Sequence, residues 1–270
     1  MNILFLGDII GKPGRDVVYA ELPRLRDALK LDLVIANGEN AAHGFGLTRA
    51  IAEEFFGIGI DVISTGNHWA DQKEILTYME GEDRVIRPVN YPKGTPGRGA
   101  TLVTTASGAS VLVVNVMGRV FMDALDDPFA AVDAQLNACP LGISADAIIV
   151  DIHAEATSEK MAMGHFCDGR ASLIVGTHQH IPTADAQILP GGTAFQADAG
   201  ACADYDSVIG MDKAEPLQRF TRKLSSQRYS PATGPATLCG VFVQTGAKGL
   251  ASRIDPVRVG GRLKQSIPEL

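Results

Sequence analysis

Ionisable and amide side chains recur directly after short hydrophobic runs along the first two thirds of the chain. The runs have the length of β-strands, and the residues that follow them could bind metal ions or exchange protons: Asp8, Glu39, Asn40, Asn67, His68, His153, His178 and His180. In open α/β sheets, ligands bind outside the carboxyl ends of the strands. We therefore expect these side chains to meet at one edge of a sheet.

The chemical types of these candidates indicate a metal centre. Carboxylate, amide and imidazole ligands without thiolates suit Mn²⁺, Fe or Zn²⁺. The candidate ligands outnumber those that one ion uses, so two ions are the economical interpretation, with Glu39 as the carboxylate that bridges them. His178 and His180 would present their side chains to the same side if their segment is extended, because side chains alternate along a strand.

The elements that would position these residues alternate between strands and helices in the first half of the chain. Hydrophobic patterning predicts strands over 2–6, 32–36, 61–64, 110–116, 147–151 and 172–175, and helices over 14–29, 48–56, 71–79 and 128–138. Residues 82–105 are rich in proline and glycine and are predicted to be a loop. From residue 183 onward, short strands and turns are expected, ending in an antiparallel hairpin over 237–245 and 251–259. This order predicts an α/β fold with mixed sheets packed between helices.

Length and composition exclude several classes of protein. The 270 residues are 46% hydrophobic and 20% charged, which is typical of a globular protein and predicts a single domain over 1–270. No apolar run approaches the roughly 20 residues of a membrane span, and the first residues lack a secretory signal, so a cytoplasmic location is expected. The net charge of −7 argues against a long nucleic acid as the main partner, because neutralising phosphates needs a concentrated basic face.

The chain resembles the calcineurin-like metallophosphoesterases, and among them the bacterial YmdB-like phosphodiesterases, over nearly its full length. The motifs that carry the resemblance are 7–11 (Gly-Asp-Ile-Ile-Gly), 37–42 (Asn-Gly-Glu-Asn-Ala-Ala), 66–68 (Gly-Asn-His), 115–121 (Asn-Val-Met-Gly-Arg-Val-Phe), 151–160 (Asp-Ile-His-Ala-Glu-Ala-Thr-Ser-Glu-Lys), 176–180 (Gly-Thr-His-Gln-His) and 205–211 (Tyr-Asp-Ser-Val-Ile-Gly-Met). The resemblance implies a four-layer α-β-β-α sandwich with two mixed β-sheets and a dinuclear metal site.

The resemblance also implies a role for each candidate residue. Asp8, Glu39 and His180 would hold the first ion, and Glu39 would bridge to a second ion held by Asn67, His153 and His178. Asn40 matches a further position at the metals, and His68 would act on the phosphate as a general acid or hydrogen-bond donor.

Three points stay open at the level of the sequence. The wider superfamily has a histidine two residues after its first aspartate, where this chain has Ile10, so Asn40 replaces that ligand or the ligand is lost. Asn40 could instead be a turn residue with left-handed φ, and His68 could support a ligand instead of donating a proton. Arg15, Arg119 and Arg170 are either contacts of the substrate phosphate or ordinary ion-pair partners.

The function that the resemblance implies is hydrolysis of small phosphodiesters, 2′,3′-cyclic nucleotides first and 3′,5′-cyclic nucleotides second, by a metal-bound hydroxide with His68 assisting. Two divalent or mixed-valence transition-metal ions are the expected cofactors, with iron or manganese preferred and zinc possible, and a homo-oligomer is allowed. A metal-dependent amidohydrolase also uses a His-x-His pair, but that pair ends its first strand, whereas His178 comes late. The alternative is a regulatory protein that binds a nucleotide or an RNA partner at the same metal site with little turnover.

Overall fold

The computed structural model describes residues 1–269, within which two β-sheets are flanked by six α-helices. The strands are β1 (Asn2–Leu6), β2 (Asp8–Ile9), β3 (Leu33–Asn37), β4 (Val62–Ser64), β5 (Ala100–Thr104), β6 (Ser110–Met117), β7 (Ala147–His153), β8 (Leu173–Thr177), β9 (Gln187–Ile188), β10 (Ala194–Gln196), β11 (Ala201–Asp204), β12 (Ala236–Thr245) and β13 (Ala251–Gly260). The α-helices are α1 (Gly11–Ala28), α2 (Arg49–Gly57), α3 (Glu74–Gly81), α4 (Pro128–Ala138), α5 (Thr157–Phe166) and α6 (Ala214–Arg222).

Both sheets are mixed. In the first sheet the order is β2-β11-β12-β1-β3-β4, with β13 on the other side of β12, and β1, β3 and β4 run parallel. In the second sheet the order is β5-β6-β7-β8-β10-β9, and β6, β7, β8 and β10 run parallel. The carboxyl ends of parallel strands in each sheet therefore lie along one edge. The candidate residues lie at or just after these strand ends.

Three layers of apolar side chains hold the sheets and helices together. The first lies between the first sheet and α1–α3 and includes Leu22 and Phe55. The second lies between the two sheets and is formed by alternate residues of their strands, such as Phe5 and Ile149. The third lies between the second sheet and α4 and α5, where Met163 is buried. The order of layers is α-β-β-α, which confirms the predicted four-layer sandwich.

The predicted core elements are confirmed, and most of their ends differ by only a few residues. The helix over 128–138 and the antiparallel pairing of β12 with β13 match the prediction closely. A bulge between Gln244 and Thr245 and a short 3₁₀ turn, Ala247–Gly249, connect these two strands. The first helix begins at Gly11, three residues before its predicted start at residue 14.

Apart from the two-residue strand β2, three elements were missed by the sequence patterns. The strand β5 lies inside the segment predicted as a loop, and it is an edge strand that pairs only with β6, so its pattern of buried residues is irregular. Helix α5 contains Gly164, which packs so closely against Phe195 that a Cβ would lie 2.6 Å from its ring. Helix α6 carries Pro216 in its first turn, where a proline costs no helical hydrogen bond. Glycine and proline have low helix propensity, so the sequence patterns did not predict these two helices.

No helix within residues 1–269 combines the length and the apolar character that crossing a membrane requires.

Candidate metal centre and active site

The candidate centre lies at the end of the apolar layer between the sheets. Along β3, β4, β7 and β8, every second residue points into this layer, as Ile35, Ile149 and Val175 do. Where the same alternation reaches the carboxyl ends of these strands, the inward residues become polar and stay fully buried: Asn37, Ser64, Asp151, His153 and Thr177. The fold thus places a row of buried polar groups at the edge where parallel strands of both sheets end.

Three ligand-type side chains meet at the heart of this region. Glu39, His153 and His178 each offer a ligand atom, and these atoms lie within 4.8 Å of one another. Around Nε2 of His153 are Oε1 of Glu39 at 3.1 Å, Oδ1 of Asn67 at 2.9 Å and Nδ1 of His178 at 3.1 Å. One ring nitrogen carries at most one hydrogen, so it cannot donate a hydrogen bond to all three of these atoms. A cation among these atoms would satisfy all of them.

Asp8 and His180 form the adjoining part of the cluster. Oδ1 of Asp8 lies 3.9 Å from Nε2 of His180 and 4.0 Å from Nδ1 of His153. The other oxygen of Asp8 accepts a hydrogen bond from the backbone amide of His178 at 3.2 Å. His180 is held through Nδ1 by the carbonyl oxygen of Ile209 at 2.8 Å, which turns Nε2 toward Asp8.

The expectation that His178 and His180 lie on an extended segment is wrong. Strand β8 ends at Thr177, and His178 and His180 have φ values of 94° and 65°. The two imidazoles therefore reach the site from a tight loop with left-handed backbone and not from alternate positions of a strand. The backbone amide of Gln179 donates a hydrogen bond to Oδ2 of Asp198 at 3.1 Å, which stabilises this loop.

Asn40 lines a cavity that opens in front of these residues, and its side-chain oxygen is unpaired. Its Nδ2 donates to the carbonyl of Gly44 at 2.9 Å, while its Oδ1 is buried and has no hydrogen-bond partner. Asn40 does not belong to the residues with positive φ, so the left-handed alternative does not apply. Oδ1 of Asp8 is likewise buried and unpaired, and such oxygens are costly unless something satisfies them. The residues at this site fit bound metal ions, because the unpaired buried atoms are carboxylate and amide oxygens and the imidazoles of His153 and His178 lie in the same cluster.

The pKa values of the buried groups at this centre reflect both burial and the charges of their neighbours. Burial works against the ionised form of Glu39, but the charge and hydrogen bond of His153 outweigh it and lower the pKa of Glu39 to about 2. Burial alone would lower the pKa of His153, but Glu39 and Asp8 raise it to about 9. Burial and the charge of His153 lower the pKa of His178 to about 3. The pKa of Asp8 is raised, chiefly by burial.

His68 stands beside this cluster and lines the cavity in front of it. Its backbone amide donates to Oε2 of Glu39 at 3.0 Å, and its ring is held through Nδ1 by Oδ2 of Asp71 at 2.8 Å. Phe45 packs edge to face against the ring, with the centroids 5.1 Å apart. The side chain is thus fixed by two neighbours while Nε2 takes no part in either contact.

The comparisons with known proteins agree with this geometry. A family model described as YmdB-like protein matches residues 4–257. A 2′,3′-cyclic-nucleotide 2′-phosphodiesterase of Bacillus subtilis (strain 168) is 45% identical over 243 residues, covering 90% of this chain and 90% of that protein. The chain belongs to the YmdB-like family.

Two crystal structures show the same fold as this YmdB-like chain. A hypothetical protein from Thermus thermophilus superposes with a TM-score of 0.90 at 44% identity, covering 97% of this chain and all of that one. A structure titled as a novel phosphatase from Mycoplasma pneumoniae has a TM-score of 0.88 at 30% identity and covers 96% of this chain and 93% of that one. The family is of the metallophosphoesterase type and implies divalent metal ions.

Several residues that support the YmdB-like site were not singled out by the sequence. Oδ1 of Asp151 accepts from the hydroxyl of Thr177 at 2.7 Å, and that hydroxyl lies 2.9 Å from Nδ1 of His153. Asp151 also accepts from Ser64 at 2.6 Å, and burial raises its pKa to about 7. Glu155 lies 3.2 Å from Nε2 of His178. A signal was present for Asp151, because it stands two positions before His153 and hence on the same face of β7.

A buried ion pair supports the loop of residues 178–180. Nζ of Lys160 lies 2.8 Å from Oδ2 of Asp198 and 3.1 Å from Oε1 of Gln179, and both charged side chains are fully buried. The pair connects α5 to this loop, so the missed helix has a direct part in positioning the histidines. Lys160 belongs to the 151–160 motif, but no local pattern indicates its partner 38 residues away.

Proposed function

We propose that this chain is a dinuclear metal-dependent phosphodiesterase that hydrolyses small phosphodiesters, 2′,3′-cyclic nucleotides first among them. The observation that carries the proposal is the convergence of Glu39, Asn67 and His178 on one nitrogen of His153, directly beside His68 and at the wall of an open cavity. The sequence similarity to a 2′,3′-cyclic-nucleotide 2′-phosphodiesterase supports the substrate class.

We assign the donor atoms to two sets that share Glu39. Asp8, Asn40 and His180 would hold one ion, and Asn67, His153 and His178 the other, with the Glu39 carboxylate between them. Iron or manganese would suit this set, because it offers carboxylate, amide and imidazole groups without a thiolate. Two such ions, when bound, neutralise phosphoryl oxygens and lower the pKa of a water between them toward about 7.

The protein groups around the ions would then position the phosphate and move one proton. Water first loses a proton to the solvent, and the resulting hydroxide oxygen bonds to phosphorus. The bond from phosphorus to one ribose oxygen then breaks, His68 donates a proton from Nε2 to that departing oxygen, and His68 afterwards takes up a proton from the solvent. Asp71, which binds Nδ1 of His68 at 2.8 Å, fixes the orientation of the imidazole and leaves Nε2 for this proton. Glu39 accepts from the His68 amide, so the acid stays at a fixed distance from the centre.

The proposal is tested with purified protein and a panel of phosphoesters, with Mn²⁺ added or with the metal chelated. The panel contains 2′,3′-cyclic nucleotides, 3′,5′-cyclic nucleotides and simple monoesters. We expect metal-dependent turnover of the cyclic diesters, with the monoesters slow. Protein that carries two ions per chain and turns over none of these esters would contradict the proposal and favour a regulatory binding protein.

A further inference from the structure

The cavity in front of the candidate centre extends well beyond the groups that would handle a phosphate. It has a volume of about 730 Å³, within the roughly 300–1,000 Å³ typical of small-molecule sites. Its polar lining includes Glu39, His68, His178 and His180. Its apolar lining includes a group that we call the apolar lobe, which consists of Ile181, Ile209, Met211, Phe220 and Tyr229. A molecule whose phosphate reaches the centre would place its remaining part against the apolar lobe.

The apolar lobe leaves large side chains uncovered. Phe220 of α6 is 73% exposed, and Ile181 and Ile209 are each 51% exposed. They face one cavity together with the buried Met211. Large apolar side chains gathered around a cavity commonly mark a ligand site, because covering them removes apolar surface from water.

The backbone at Ile209 is strained in a way that presents its side chain. Val208 and Met211 exchange backbone hydrogen bonds of 2.9 and 3.0 Å across a tight turn, and the central residues Ile209 and Gly210 have φ values of 49° and 90°. Positive φ at both central positions is typical of a type I′ turn, which favours Asn and Gly and disfavours a β-branched residue. Strain of this kind persists where surrounding structure enforces it and is concentrated at functional sites.

The same residue joins the apolar lobe to the metal centre. The carbonyl of Ile209 accepts the hydrogen bond from Nδ1 of His180 that turns this imidazole toward Asp8. The backbone of the strained turn therefore orients His180, a candidate metal ligand. The side chain of Ile209 in the same turn forms part of the wall of the apolar lobe. A phosphate at the centre and an apolar group in the lobe would thus lie at a fixed separation.

The charge around the cavity limits what the lobe can accept. Within residues 1–269, none of the side chains that line the cavity is a lysine or an arginine. Arg119 and Arg170 are engaged in ion pairs with aspartates at 3.6 and 2.8 Å, and Arg15 donates to the carbonyl of Ala41. The hydroxyl of Thr183 is bonded to the backbone of Asp198. Arg219 lies over the ring of Tyr229, with its guanidinium carbon 4.0 Å from the ring centroid, but it is paired with Glu215 at 2.7 Å. A second phosphate would therefore find no unpaired cation among these residues, whereas a flat aromatic ring would find apolar and aromatic side chains.

We propose that the apolar lobe is the base subsite of a nucleotide-binding cavity, which holds the base by stacking and apolar contact and accepts purines and pyrimidines alike. This inference rests on the proposed function for the phosphate end of the cavity. Stacking on aromatic and apolar side chains does not discriminate between bases, because every base has a π-face. Discrimination would require hydrogen bonds to the edges of the bases, which differ from one base to another.

The test compares substrates with and without a base. For the manganese-loaded protein, kcat and KM are measured with 2′,3′-cyclic AMP, 2′,3′-cyclic CMP and ethylene phosphate, a cyclic phosphodiester that lacks both sugar and base. Phe220→Ala is expected to raise KM for both nucleotides by about tenfold, the size of a lost stacking contact, and to change kcat/KM for ethylene phosphate by less than twofold. Leu217→Ala, on the same helix and exposed but outside the cavity lining, is the matched control.

A second variant separates binding from folding. Ile209→Asn removes the apolar side chain but suits the left-handed backbone, so its melting temperature is expected to stay the same or rise. Its metal content is expected to remain that of the wild type, while KM for both nucleotides rises. A purely structural role for Ile209 would not give unchanged or higher stability and full metal content together with weaker nucleotide binding.

The outcomes distinguish this inference from the proposed function. Equal losses on nucleotides and on ethylene phosphate, no loss in Phe220→Ala, or a preference of the wild type for one base above tenfold would each overturn the base subsite. If the wild type hydrolyses neither class of substrate, the proposed function fails, and binding of adenosine 3′-monophosphate to the manganese-loaded variants decides the inference. Weaker binding in Phe220→Ala, with Leu217→Ala unchanged, would then support the subsite, and equal binding would refute it.

Discussion

The hydroxyl of Thr177 holds the imidazole of His153 through Nδ1, at a distance of 2.9 Å. The same hydroxyl donates its hydrogen to Oδ1 of Asp151 at 2.7 Å, so toward His153 it can only accept. Nδ1 therefore carries a hydrogen, and Nε2, which faces Glu39, is the nitrogen left to bind a metal ion. A carboxylate that orients a histidine ligand directly is common at metal sites, and here a threonine hydroxyl stands between the two.

Removing this hydroxyl should weaken metal binding without unfolding the protein. Thr177→Val keeps the shape of the side chain but leaves Nδ1 of His153 without its partner, so we expect metal affinity to fall by about 10- to 100-fold. Titration of Mn²⁺ into metal-free protein measures the change. Thr193→Val is the matched control, because Thr193 is equally buried but its hydroxyl donates to the carbonyl of Ala171. Equal affinity in the two variants would show that Thr177 does not orient the ligand.

Gly66 leaves the space that His153 occupies. A Cβ at this position would lie 2.3 Å from Nε2 and Cδ2 of the His153 ring, closer than two such atoms can approach. Gly66→Ala is therefore expected to displace the ring, to lower the metal content after dialysis and to cost about 1–3 kcal/mol of unfolding free energy. Gly81→Ala is the control, since a Cβ there would meet nothing within 4 Å. Full metal content in Gly66→Ala would refute the steric argument.

The sequence predicted the layers of the fold because burial alternates along strands and helices in a regular way. It indicated for the same reason that the candidate residues lie together, since Asn67 and His178 come after strand ends and His153 is the last residue of β7. The conformation of residues 178–180 was not predictable, because distant partners determine it. Oδ2 of Asp8 holds the amide of His178, and Oδ2 of Asp198 holds that of Gln179. No local pattern encodes such contacts.

The supporting groups were hidden for a related reason. Asp151 and Thr177 lie at the ends of buried strands, where a polar residue alone is most often a cap or a surface group. Only the pairing of β7 with β8, which brings residues 151–153 beside residues 175–177, shows that they share one hydrogen-bond network. Pairing of neighbouring strands is a tertiary property, and a single sequence does not reveal it.

Metal binding should strengthen as the pH rises. Burial disfavours the charged form of His153, but Glu39 and Asp8 raise its pKa to about 9 in the metal-free protein. An ion must displace this proton, since only the neutral imidazole is a ligand. Affinity for Mn²⁺ is therefore expected to fall by about tenfold for each pH unit below 9, with release of about one proton per site near pH 7. Calorimetry in buffers of different ionisation enthalpy measures the protons released, and a pH-independent affinity between pH 6 and 8 would contradict this assignment.

The contacts of His68 predict that its side chain serves turnover and not metal binding. The group that holds Glu39 is the backbone amide of His68, at 3.0 Å from Oε2, and this amide survives in His68→Ala. We therefore expect His68→Ala to retain both ions while kcat falls by about 10²- to 10⁴-fold, the range for loss of a general acid. His165→Ala, which removes an exposed imidazole from α5, controls for the loss of a histidine elsewhere.

Two further variants make this prediction decisive. Asn67→Ala removes the neighbouring side-chain oxygen, 2.9 Å from Nε2 of His153, and is expected to lose metal and activity together. Asp71→Asn keeps a hydrogen-bond partner for Nδ1 of His68 but removes the carboxylate, so kcat is expected to fall less than in His68→Ala. If His68→Ala loses as much metal as Asn67→Ala, the side chain of His68 supports metal binding and is not the proton donor. The proton must then come from another group of the cavity.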